Sequence, residues 1–479
     1  MAPEAPHRQA AGHHFLLVTV AAQGQINPTR HLARRLARAA SARVTIANPV
    51  CSHRRLFPSS SVAAAEPDDD TDEPPLNPDG SGIVSYAPFS DGFDDGIFNF
   101  YDRDAGLYVS EITSVGYRSL TALTKALAAA GRPVTCIVYS ILLVWAADVA
   151  RDLGVPSFFH WIQPASVFYF YYLYFHNHPA FANFDATTVK NSSFSVDLPG
   201  LPVLRSKDLP GIITEPSAFR TAHHDIFIEL DKSTNAKVLV NTFYELEASV
   251  IGRIPGIELL TVGPVLDASS AAAAAGRDLF EDADAGGYMD WLEAQEEGSV
   301  VYVAFGSLTR LTAKQVTEIA AGLKESGRPY LWVMRKDGRP EGVELPTAED
   351  GNGMVVGWCS QVRVLGHRAV GCFVTHCGWN STSEALASGK PVVAMPQLIE
   401  QATNARLMEE WGIGVRADDG HDGVVVSAEL RRSLEVVMGE GERGAEIRRK
   451  AREWKKKVEE ALADGGSSAR NLKAFVDGL

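Results

Sequence analysis

The stretch Trp358–Gln401 reads WCSQVRVLGHRAVGCFVTHCGWNSTSEALASGKPVVAMPQLIEQ, and its centre decides the fold. Val374-Thr-His-Cys-Gly-Trp-Asn-Ser-Thr382 leaves a β-branched run and enters a helix through Gly378, Asn380 and Ser381. A helix opened this way turns its first amides and the positive end of its dipole toward whatever sits above it, which favours a phosphate. His376 can add a hydrogen bond to the same oxygens. Trp358 offers a flat face for a base, with Cys359 and Gln361 beside it. Glu384 can accept from a pair of ribose hydroxyls, and Glu400-Gln401 can bond the hydroxyls of a sugar. Each residue alone has a plainer reading. Ser381-Thr-Ser-Glu384 fits a capping box, Trp358 and Trp379 fit a core, and Glu400-Gln401 fit a surface. Together, base, ribose, diphosphate and sugar each find a partner in order.

The segment resembles the signature box of the plant family-1 UDP-glycosyltransferases. The matching positions are Trp358, Gln361, His367, Gly371, the block His376-Cys-Gly-Trp-Asn-Ser381, Glu384, Gly389-Lys-Pro391, Pro396 and Gln401. Two positions depart, with Leu398 where the family usually has Trp and Glu400 where it has Asp. Glu keeps the carboxylate and adds one methylene. By the resemblance, Gln401 favours glucose over galactose. Further matches at Gly24–Pro28, Val240-Asn-Thr-Phe243, Val262-Gly-Pro264 and Val303–Ser307 extend the likeness over nearly the whole chain.

The resemblance implies a GT-B fold, two Rossmann-like α/β domains facing across a cleft. The implied division is an acceptor-binding domain over 1–264, a linker over 265–287, a UDP-sugar domain over 288–455, and a helical tail over 456–479 packing back on the first domain. His376, Asn380, Ser381 and Ser307 are then expected to hold the diphosphate and Gly378 to open the helix. Trp379, Glu400 and Gln401 are expected to hold glucose.

Composition agrees with this. At 479 residues the chain exceeds the size at which one core keeps growing, and 46% hydrophobic residues suffice for two. A net charge of −14 argues against nucleic acid or an anionic membrane as partner. Five cysteines, mostly within apolar runs, read as reduced thiols. The polar start and the short apolar run Phe15–Val20 suit neither a signal core nor a membrane span, so a cytoplasmic protein is expected. UDP-glucose and a small acceptor are the expected partners of a monomer that needs no cofactor and no metal. A nicotinamide oxidoreductase would need Gly-x-Gly-x-x-Gly after the first strand, and only Gly24 stands there.

Along the chain, β-rich runs alternate with helical patterns, the signature of parallel α/β layers. Phe15–Val20, Arg43–Ala47 and Thr135–Tyr139 read as strands, and Asn27–Ala39, with Arg/Leu periodicity after Pro28, as the first helix. Ile137–Ala150 reads as a strand running into a helix. Glu66–Gly82, acidic and Pro-rich, reads as a solvated loop whose Asp run is a bare charge run. In the second half, Val300–Phe305, Tyr330–Arg335 and Val392–Met395 read as strands and Lys314–Ser326 as a helix.

The chemistry implied by the resemblance is inverting transfer, in which an acceptor oxygen attacks the anomeric carbon as UDP leaves. A hydroxyl acceptor must lose its proton, and the family places a His after the first strand to take it. This chain reads Ala22-Gln-Gly-Gln-Ile-Asn-Pro28, so Gln25 stands where the base should be. The Asp that often orients that His is replaced by Ser140. An amide has no useful basicity near neutral pH. His160, Asp91 and His223 are substitutes by guessed proximity alone. Three readings remain open: an acceptor that needs no base, such as a carboxylic acid with a pKa of about 4; a substitution introduced into an ordinary transferase; or a nucleotide-sugar binding protein that has lost activity. Phe158-Phe-His-Trp161 and the aromatic run Val167–Phe175 suit a planar apolar acceptor, although several of these rings must be core. The loop Ser90–Gly96 resembles an acceptor-side loop of the family.

Overall fold

The computed structural model describes residues 12–96, 98, 104–185, 189, 193–214, 218–264, 287–346, 352–420 and 422–479. The expected linker, 265–287, falls outside them except for Gly287. Two compact units emerge. One comprises Met1–Trp161, Thr221–Leu239 and Arg470–Leu479, the other Ile162–Arg220 and Val240–Ala469.

A seven-stranded sheet runs in the order Ile83–Phe89, Arg43–Pro49, His14–Val18, Cys136–Tyr139, Ser157–Trp161, Ala236–Val240, Ile257–Thr261. Its first five strands pair in parallel. Their β-branched and aromatic residues are almost wholly buried, as expected of strands covered on both faces. The chain builds outward from His14–Val18 on one side, then returns to lay Cys136–Tyr139 on the other. The connections leaving these two neighbours therefore part at their carboxyl ends, the switch point where open α/β sheets bind ligands. Gln25 follows the first of these strands and Ser140 the second.

The six-stranded sheet repeats the device. Its order is Gly353–Val356, Tyr330–Val333, Val300–Ala304, Val370–Thr375, Val392–Ala394, Gly414–Arg416, parallel throughout. The switch lies between Val300–Ala304 and Val370–Thr375. Beyond their ends stand Ser307 and His376, and beyond Val392–Ala394 come Glu400 and Gln401. These two parallel sheets with their helices are the GT-B architecture.

Three local readings change. The first helix is Gln23–Ala40, four residues longer at its start than Pro28 suggested. The amides of Gln25 and Ile26 both reach the Ala22 carbonyl at 2.9 Å, so Gln25 sits in the first helical turn. Pro28 is tolerated inside the helix, where a proline-based boundary would have cut it. The acidic segment 66–82 is not uniformly solvated. Asp68 is buried against His53 Nε2 (2.8 Å) and Ser60 Oγ (2.5 Å), and Glu73 pairs with Arg34 at 2.8 Å. Burial without these partners would cost each carboxylate several kcal/mol. The aromatic helix Ala165–Phe175 is mostly core, with Val167, Phe168, Tyr169, Phe170, Tyr171 and Leu173 all buried. Its first amides, at Ala165 and Ser166, donate to the buried Glu247 carboxylate at 2.9 and 2.8 Å. An acid on the positive helix end satisfies two otherwise orphaned donors.

Candidate functional site

Helix Trp379–Ser388 opens on Gly378, with no side-chain cap. Ser381 is thus the third helical residue and not a cap. Glu384 serves elsewhere, accepting from Gln361 Nε2 at 2.5 Å. The same nitrogen donates to Ser381 Oγ at 2.9 Å, and Gln361 Oε1 accepts from the Tyr302 hydroxyl at 3.2 Å. One side chain from the helix after Trp358 thereby ties the phosphate-favouring helix to the sheet. Cys359 is buried with its Sγ 3.4 Å from the Tyr302 hydroxyl, while the Trp358 ring beside it is only half-buried.

His376 is held between two glycines. A Cβ added to Gly306 would stand 2.6 Å from Nε2, and one added to Gly378 only 2.5 Å away. Such spacing leaves room for no side chain but glycine's. Burial lowers the imidazole to about 4, so it is neutral at physiological pH and can donate a hydrogen bond without carrying charge. Cys377, next in the chain, adopts the left-handed conformation at φ +66°. A non-glycine residue there stores strain, and its carbonyl is held by Asn404 Nδ2 at 2.8 Å.

Asn404 also donates to Glu400 Oε1 at 3.3 Å, joining the turn at Cys377 to the Glu400-Gln401 pair. Gln401 Oε1 accepts from the amides of Gln397 (2.9 Å) and Leu398 (2.8 Å), which leaves its amide nitrogen as the group it can offer. Glu400 is buried and its carboxyl is pushed up to about 7, chiefly by that burial. Ile399, just before Glu400, has φ +59°, and its carbonyl accepts from the Gly211 amide at 2.6 Å. The segment carrying Gly211 is fastened again where Asp208 pairs with Arg416 at 3.0 Å and Thr403 donates to the Asp208 carbonyl.

The Trp379 side chain faces away from the open helix end. Its ring is in the core beside Trp411 and its Nε1 donates to the Asn241 carbonyl at 2.6 Å. What it can present to a ligand is its backbone amide. Ser307, after Gly306, is half-buried, and its carbonyl accepts from Arg335. Tyr302, Asn404 and Gly211 went unnoticed in the sequence. Tyr302 sits in a strand where an aromatic reads as core, and the other two act through contacts distant in sequence.

In the other unit, Ser140 Oγ donates to Gln25 Oε1 at 2.8 Å. The two positions where the resemblance leads one to expect a base and its orienting acid are therefore bonded to each other, with Ser140 fully buried. Leu142, two residues on, holds φ +75°. The three substitute candidates are engaged elsewhere in the same unit. His160 lies buried on its strand with its imidazole lowered to about 3 by burial. Asp91 accepts from the Phe93 amide in its own loop, and His223 packs edge-on against Trp161. Among the described residues, no cluster of three or more His, Cys, Asp or Glu could hold a metal, and no helix is long and apolar enough to cross a membrane.

Residues 283–447 match the family model described as UDP-glucoronosyl and UDP-glucosyl transferase. The chain is 40% identical to a phloretin 4'-O-glucosyltransferase of Malus domestica, with 97% of both chains covered. It is 41% identical to a chloroplastic crocetin glucosyltransferase of Gardenia jasminoides, again over 97% of each. Among solved structures it resembles Os79 of O. sativa with UDP bound, at TM-score 0.80 and 30% identity over 97% of this chain and 99% of that one. A UDP-glucosyltransferase of Polygonum tinctorium that glucosylates indoxyl matches at TM-score 0.77 and 28% identity, covering 98% and 99%. Full-length identity of this order, a matching family model and the GT-B sheets agree, and the chain belongs to the plant family-1 UDP-glycosyltransferases.

Proposed function

We propose that this protein is an inverting glucosyltransferase that moves glucose from UDP-glucose to a small aromatic or apolar acceptor. The observation that carries this reading is the pair of hydrogen-bonded groups at one helix start, Gln361 with Ser381 and Glu384, and Asn404 with the Cys377 carbonyl and Glu400. In it, uracil stacks on the half-exposed Trp358 and ribose bonds Glu384. The diphosphate lies on the first turn of Trp379–Ser388 with His376 and Ser307. Glucose takes the amide nitrogen of Gln401, the Glu400 carboxyl and the Trp379 backbone. The neutral His376 and the helix end stabilise the charge that grows on UDP as it leaves, a task that needs no metal in this arrangement. The relatives carry transferase names over their full length, so a protein that only binds the nucleotide sugar is not favoured. A cytosolic site of action suits five free, buried cysteines, and fractionation against the plastid tests it.

Gln401→Ala separates sugar from nucleotide. It is expected to raise KM for UDP-glucose about tenfold or more, the loss of one or two hydrogen bonds, while the Kd of UDP stays within about twofold. Equal losses on both ligands would remove Gln401 from the sugar site.

Glu400 gives this reading a pH signature. Its carboxyl ionises near 7 in the folded chain against an ordinary value of 4.5, because burial disfavours the charge. An ionised carboxylate accepts two sugar hydroxyls where the acid must spend one oxygen as a donor. KM for UDP-glucose is therefore expected to fall between pH 6 and pH 8, and Glu400→Gln to flatten that dependence. The fold holds this proton more tightly than the unfolded chain does, so stability of the free protein falls as pH rises from about 4.5 to about 7 and levels off above.

A further inference from the structure

We infer that the acceptor of this enzyme is a small planar carboxylic acid that arrives ionised and is glucosylated on its carboxylate, with Gln25 as the group that binds the attacking oxygens and Ser140 as the residue that positions Gln25. The inference rests on the glucosyltransferase reading above and names the acceptor class it left open.

The geometry of the pair carries it. Ser140 is buried at 1% exposure, and its hydroxyl hydrogen goes to Gln25 Oε1 at 2.8 Å. The amide oxygen is thereby occupied, and the Nε2 group with its two hydrogens is the remaining function. Gln25 itself is fixed in the first turn of Gln23–Ala40, with its backbone carbonyl accepting from Thr29 Oγ1 at 2.8 Å. A half-buried, oriented N–H donor at the switch point of a parallel sheet attracts an oxygen rich in lone pairs and cannot take a proton from it. Hydroxyl acceptors meet that limit directly, since a phenol holds its proton up to a pH of about 10, whereas a carboxylic acid has lost it above about 4.

The step balances without a base. One carboxylate oxygen forms a bond to C1 of glucose, the C1–O bond to the diphosphate breaks, and its electron pair leaves on UDP. No proton moves. With a phenol the same step would release one proton that neither Gln25 nor Ser140 can accept.

The test compares para-toluate with para-cresol as acceptors of similar size, with UDP-glucose in excess and hexosylated product read by mass. The unaltered protein is expected to hexosylate para-toluate at least ~100-fold faster, in line with the worth of general base catalysis. Gln25→Glu keeps the shape and the bond from Ser140 but faces the substrate with an anion. It is expected to slow para-toluate roughly 10- to 100-fold, the range for losing a hydrogen bond to a charged group. Ser140→Ala frees the amide to rotate and should raise KM for para-toluate more than it lowers kcat. Faster transfer to para-cresol, or an unchanged para-toluate rate in Gln25→Glu, would overturn the inference. If the unaltered protein hexosylates neither compound the inference also fails, and Gln25→His then decides what survives. Hexose on para-cresol in that variant leaves the glucosyltransferase reading standing, and none removes it too.

Discussion

Gln25→His is expected to raise transfer of glucose to a phenolic hydroxyl by about 10²–10⁴-fold, the usual worth of a positioned general base. The reason lies in what already surrounds residue 25. It sits in the first turn of Gln23–Ala40, behind the strand His14–Val18, and one buried hydroxyl, Ser140, points its hydrogen at the side chain. A histidine there would find that hydroxyl as a partner for one ring nitrogen, leaving the other to face an acceptor. Ser140 carries no charge, so the imidazolium formed during transfer would be less stabilised than beside an aspartate. The gain should therefore fall short of a complete dyad, and Ser140→Asp on top of Gln25→His should add to it. Initial rates with para-cresol at saturating UDP-glucose measure both steps. A Gln25→His variant no faster than the starting protein would mean that the proton is taken elsewhere.

The second large effect is expected at a residue that touches no ligand through a side chain. Gly378→Ala adds one methyl group where a Cβ would lie 2.5 Å from His376 Nε2. The backbone at Gly378 has φ −58°, which alanine adopts freely, so the change is steric and local. Gly306 borders the same nitrogen, since a Cβ added there would stand 2.6 Å from it. The imidazole is expected to leave its place, and with it the donor proposed for the leaving diphosphate. Loss of such a donor typically costs about 10²–10³ in kcat. Gly378→Ala is expected to lie in that range and to resemble His376→Ala, and the double variant should be little worse than either single one. Additive losses in the double variant would show that the glycine acts by some route other than the histidine.

How much of this was legible in the sequence differs between the two halves. The candidate donor side is the easier to read because Trp358, Gln361, His376, Ser381 and Glu384 come from one segment, and the fold bonds Gln361 to both Ser381 and Glu384. What the segment hides is the traffic between distant residues. The bond from Asn404 to the Cys377 carbonyl and the seat of Gly211 against Ile399 span gaps that no local pattern marks. Trp379 misleads for a related reason. An aromatic beside phosphate-binding residues suggests a ligand contact, yet its ring is drawn into the core by Trp411 and the Asn241 carbonyl. On the acceptor side, the resemblance marks Gln25 and Ser140 as standing where an acid–base pair is expected, and the fold shows them bonded to each other. Proline punctuation also misplaced the helix start by four residues, and that shift is what sets Gln25 in a helical turn. The acidic run at Asp68 looked solvated because charge runs usually are, whereas His53 and Ser60 had already claimed its carboxylate.

The most direct test of the account uses one acceptor that carries both reactive groups on a single planar ring, para-coumarate. Supplied with UDP-glucose and the unaltered protein, it gives products of equal mass that differ in chemistry: a glucose ester falls apart in mild alkali, and a phenolic glucoside survives. The account predicts a hexosylated product that alkali destroys completely. An alkali-stable glucoside as the main product would contradict it, because a proton would then have been removed that neither Gln25 nor Ser140 can accept.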